Sequence, residues 1–70
     1  LPTSDRQTAA DALERLMHAC RAAARAGCDP NCFTVALNRA KAGLPVNQYE
    51  NQHVQSMQRL AAEVLGACGD

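Results

Sequence analysis

Four cysteines, Cys20, Cys28, Cys32 and Cys68, in a chain of 70 residues constrain the fold more than any other feature. A domain this small buries too little apolar surface to offset chain entropy comfortably, so it leans on disulfides, a metal or a partner chain. The core inventory points the same way: fourteen residues are alanine, and the large apolar side chains number about fifteen. An even cysteine count in a short chain reads as a disulfide framework formed in an oxidising setting, which predicts a secreted or periplasmic protein. The opening Leu1-Pro2 fits a chain left by signal removal and equally a trimmed one.

The apolar periodicity is helical throughout, and a single domain over residues 1–70 is expected. Ser4 with Gln7 has capping-box spacing, Asp5 suits the first turn, and Ala9, Leu13, Leu16, Cys20 and Ala23 recur on one face. Met17 and Ala24 widen that stripe, and Gly27 supplies a left-handed stop, so the first helix is predicted over about 5–26. Asp29-Pro30 opens a second helix over about 30–42, with Phe33, Ala36, Leu37 and Ala40 inward and Gly43-Leu44-Pro45 as the terminator. Asn47 with Glu50 predicts a third helix over about 47–66, carrying Tyr49, Val54, Met57, Leu60, Ala61, Val64 and Leu65. Two short connections imply antiparallel neighbours: an all-α, up-down-up three-helix bundle.

In that topology the end of helix one, the start of helix two and the end of helix three share a pole, and all four cysteines fall there. Matching their heights along the helix axes at about 1.5 Å per residue favours Cys20 with Cys32 and Cys28 with Cys68, two disulfides stapling the bundle. A Cys28–Cys32 bridge would close a very small loop, and a Cys20–Cys68 bridge would pull helix three down. Connectivity stays open, because it cannot be read from spacing. Cys28-x-x-x-Cys32 lacks the two-residue spacing of thioredoxin-like redox motifs and of most zinc pairs, so no metal site or cofactor is assigned.

Seven basic side chains balance seven acidic ones, which removes the electrostatic term that dominates nonspecific binding to nucleic acids and anionic membranes. One Phe and one Tyr offer little for base stacking. Membrane insertion is not expected, since no apolar run approaches the roughly 20 residues that span a bilayer. His18 shares a polar face with Glu14, Arg21 and Arg25, and no serine or threonine can be placed beside a histidine and a carboxylate, so catalysis is not expected.

The unusual feature of helix three is its amides: Gln48, Asn51, Gln52, Gln55 and Gln58, with Ser56 and Arg59, occupy the expected outer face almost without charge. Ordinary exposed helices prefer Lys and Glu. Amides suit a protein interface because they donate and accept hydrogen bonds at low desolvation cost. The sequence therefore points to a protein-binding module of the inhibitor or immunity-factor kind. Its partner-binding residues would be Gln48, Tyr49, Asn51, Gln52, His53, Gln55 and Arg59; a homodimer is also open to it. The alternative is a carrier of haem, metal or a small apolar ligand. That site would be built on Tyr49, His53 and Met57, spaced four apart, or on an opening between the alanine-lined helices.

Overall fold

A computed structural model describes residues 2–68, the side chains of residues 2–5 excepted. The described chain is all helical: α1 spans Pro2–Arg25, α2 Asn31–Lys41 and α3 Gln52–Cys68, with a single 3-10 turn at Val46–Gln48 before α3. Ser4, expected to cap α1, lies inside that helix, and its side chain is outside the described residues.

The two glycine stops form as expected. Gly27 has φ 92° and Gly43 φ 69°, left-handed conformations that a side chain strains. At each, the residue after glycine donates its N–H five residues back, Cys28 to the Ala23 carbonyl at 3.0 Å and Leu44 to that of Arg39 at 3.1 Å. Gly27 and Gly43 themselves donate to Ala24 and Ala40, which completes a Schellman closure at both ends. The Asp29-Pro30 start also forms, with Asp29 Oδ1 accepting from the Asn31 N–H at 2.8 Å.

Helix three starts later than the sequence suggests. Its cap is Asn51, whose Oδ1 accepts from the N–H groups of His53 at 2.8 Å and Val54 at 3.2 Å. Asn47 sits in the 3-10 turn, and Tyr49 is extended rather than helical. The delay lengthens the second connection to residues 42–51, and that length changes the topology. Ten residues reach up to about 33 Å, whereas the 11 residues of α2 rise only about 16 Å, so the chain can return to the pole it left.

It does return. Asn51, at the start of α3, meets Cys28, just before α2, at 3.8 Å, while farther along Arg15 of α1 pairs with Glu63 of α3 at 3.4 Å. Rising residue numbers on α3 meet falling numbers on α1, so these helices are antiparallel. Arg39, near the end of α2, meets Gln58, two turns into α3, so α2 and α3 leave the same pole in the same sense. The up-down-up expectation is thus corrected: α1 runs one way, and α2 and α3 return.

The central element is α3, which packs on both other helices, while α1 and α2 make few contacts with each other. Their shared core is thin: Leu16, Ala23, Ala36, Val54, Met57 and Ala61, with Ala12 buried on the same side of α1. Leu13 and Met17, expected inward, are instead 49% and 47% exposed. The buried face of α1 follows Ala12, Leu16 and Ala23.

Among the described residues one fully buried side chain is polar. Gln58, 1% exposed, accepts from Arg39 Nε at 3.1 Å through Oε1 and donates to the Leu44 carbonyl at 2.8 Å through Nε2. Arg39 also donates to the Pro45 carbonyl at 3.1 Å, and its guanidinium lies 5.4 Å from the Tyr49 ring centre. Gln58→Ala should lower the unfolding free energy by about 2–3 kcal/mol in urea melts, since it strands a charged donor and a carbonyl, whereas Gln52→Ala on the exposed face should cost under about 0.5 kcal/mol.

Candidate functional site

The turn between α1 and α2 is held tightly enough to frame a cavity. The Schellman closure fixes Cys28 against the end of α1, Asp29 starts α2 two residues later, and Asn51 reaches across from α3. Between them lies an opening of about 430 Å³. Cys20, Ala23 and Ala24 contribute from α1, Cys28, Asp29 and Pro30 from the turn, Cys32 and Phe33 from α2, and Met57 from α3. Small side chains on α1 leave the space, and the ring of Phe33 and the thioether of Met57 give it apolar walls. Asp29 is its one charged lining residue.

Three of the four cysteines line this cavity, and the sulfur atoms of all four are free thiols in the structure. Cys28 and Cys32 are in hydrogen-bonding contact with each other. Burial pushes the Cys20 thiol up from its ordinary value. Burial also raises Cys32, as do its contact with Cys28 and the charge of Asp29, against a lowering hydrogen bond from the backbone of Asp29. Asn51 Nδ2 points at Cys28 Sγ while its Oδ1 caps α3, so one amide links a thiol to a helix start. Among the described residues no group of three His, Cys, Asp or Glu side chains is arranged to hold a metal ion.

Cys68 does not belong to this cluster. Asn51 puts the beginning of α3 beside Cys28, and Cys68 ends that 17-residue helix, about 25 Å away along its axis. A disulfide requires Cα atoms within about 7 Å, so the expected Cys28–Cys68 bridge does not fit this helix order. Cys20 and Cys32 do share the cavity wall.

The expected partner-binding residues are dispersed. Gln52 and Arg59 are exposed on the outer side of α3, and Gln48 is exposed in the 3-10 turn. Asn51 is occupied as the cap, Gln55 donates to the Tyr49 carbonyl, and Gln58 is buried. His53 is half-buried in the first turn of α3. The Tyr49, His53 and Met57 row does not form either: Tyr49 lies before the helix under Arg39, and Met57 is 1% exposed in the core. An opening between the alanine-lined helices was one of the expected ligand sites, though its place at the cysteine-bearing turn was not foreseen. The role of Arg39 also went unforeseen, and Gln58, expected outward, falls four residues after Val54 and three before Ala61, a phase that marks it as inward.

Burial of the Cys20 thiol has a pH consequence with a definite sign. Folding raises its pKa above the ordinary 9.0, so the unfolded chain releases this proton first as pH rises. The stability from the buried neutral thiol is full below about pH 9 and is lost as pH climbs through the folded value. Urea midpoints should stay level from pH 7 to 8 and fall above 9, and Cys20→Ser should flatten the fall. Compared with known proteins, the chain matches no protein family, no curated protein and no solved structure.

Proposed function

We propose that this chain is a non-catalytic binding module that takes up a small apolar molecule in the thiol-lined cavity. The single observation that carries the reading is the cavity itself: about 430 Å³, open at one pole, walled by Phe33, Met57 and alanines. Small-molecule sites fall between about 300 and 1,000 Å³ and are mostly apolar with a few polar groups at the rim, here Asp29 and the thiols. Protein binding through the outer side of α3, as an inhibitor or immunity-type factor would do, is the weaker reading. Asn51 and Gln55 are committed to bonds within the chain, leaving Gln48, Tyr49, Gln52, His53 and Arg59 to carry an interface.

A secreted or periplasmic setting is part of the proposal, supported by the even cysteine count and by the contact between Cys28 and Cys32. In such a compartment the pair would close as one disulfide. Two S–H bonds are lost and one S–S bond forms, while a small-molecule disulfide accepts the two electrons and two protons and leaves as two thiols. Mild oxidation with such a disulfide should remove two hydrogens from the intact mass, and peptide mapping should join Cys28 to Cys32. A Cys28–Cys68 link would overturn the helix order described above.

Ligand uptake is checked by titration with a neutral fluorescent probe such as N-phenyl-1-naphthylamine. Binding should saturate at one probe per chain. Ala24→Phe, which adds a ring at an exposed wall position, should weaken it at least about tenfold with helicity unchanged. Binding that fails to saturate, or that ignores Ala24→Phe, would sink the carrier reading.

A further inference from the structure

Part of the apolar stripe of α1 faces no other element. At 24 residues α1 is more than twice as long as the 11-residue α2, so α2 flanks only the part of α1 near Cys20 and Ala24. Below it, Leu13 and Met17 are left 49% and 47% exposed. The antiparallel register set by Arg15 with Glu63 brings Leu65 of α3, 37% exposed, level with Leu13. These are three of the five large apolar side chains most open to water, on a domain whose buried apolar core includes four alanines among seven residues. Such a chain has apolar surface to cover and little interior to spare.

Charge indicates what covers it. Glu14 and Arg21 flank Met17 on the same exposed face, three residues before it and four after. They stand about 10 Å apart along the helix, too far to pair with each other, and the ion pair between Arg15 and Glu63 involves neither. A helix carrying only acidic or only basic residues would satisfy one of them and repel the other. An antiparallel copy of α1 satisfies both: about a two-fold axis midway between Glu14 and Arg21, just past Met17, Glu14 of each copy meets Arg21 of the other, and the two Met17 side chains pack beside the axis. The chain's net charge of zero leaves no general repulsion between copies.

We propose that the exposed α1 face of Leu13, Glu14, Met17 and Arg21 is an isologous homodimer interface, closed by two reciprocal Glu14–Arg21 pairs across a two-fold axis. The proposal is independent of the cavity reading, which concerns the opposite end of α1's apolar stripe.

Sedimentation equilibrium on the full chain tests it, with circular dichroism confirming that each variant remains helical. The parent chain should be dimeric at micromolar concentration. Glu14→Arg and Arg21→Glu should each weaken dimerisation about tenfold or more, because each sets like charges opposite one another twice. The double exchange, Glu14→Arg with Arg21→Glu, should restore affinity to within about threefold of the parent, since it rebuilds both pairs with their signs reversed. Met17→Glu should abolish the dimer in either background. A parent chain that is monomeric at about 100 μM, single exchanges without effect, or a double exchange no better than the singles would each overturn the proposal.

Discussion

Arg39 holds together the segment on which the topology depends. Its guanidinium serves the buried amide of Gln58, the Pro45 carbonyl and the face of Tyr49, while Gln58 holds the carbonyl of Leu44. A ten-residue connection carries its own backbone polar groups, and burying their neighbours is tolerable only if those groups find partners. Here side chains supply several: Gln58 binds the carbonyl of residue 44, Arg39 that of 45 and Gln55 that of 49. Anchored this way, the connection can lie back along α2 and deliver α3 to the pole where α2 began.

That single departure explains which parts of the sequence were legible. Glycine and proline punctuation depends on local sterics, so Gly27, Asp29-Pro30 and Gly43-Leu44-Pro45 gave correct boundaries. The third start was misplaced for the same local reason: Asn47 with Glu50 has capping-box spacing, but the cap forms four residues later at Asn51. Asn51 forms the cap in a chain where side chains hold the segment before it, Gln58 and Gln55 of α3 on the carbonyls of residues 44 and 49, and Arg39 of α2 on the carbonyl of 45 and the face of Tyr49. Helix direction, and with it the position of Cys68, followed from that choice and from long-range contacts that spacing does not encode. The opening expected between alanine-lined helices could not be placed for a related reason: it lies where Ala23 and Ala24 are small and three elements converge, and only the convergence locates it.

Alanine has two effects in this molecule. On the buried side of α1 it takes core positions, Ala12 and Ala23, while Leu13 and Met17 face outward. Toward the thiol-bearing pole it leaves room that larger residues would fill. The amides of α3 are similarly reassigned: what reads as an uncharged outer face is in part the set of groups that cap the helix and hold its approach.

Because α3 is the element that touches both others, the order in which this protein can fold is restricted. Neighbours in sequence, α1 and α2, have little to gain from one another, so no stable local hairpin precedes the rest. The contacts of α1 with α3, such as Arg15 with Glu63, close loops of about fifty residues, and their entropic cost is met before they contribute. During synthesis α3 must therefore emerge before this core can form. Until then the apolar residues of α1 stay open to water, and the turn that carries Cys28 and Cys32 is open to any thiol or disulfide it encounters.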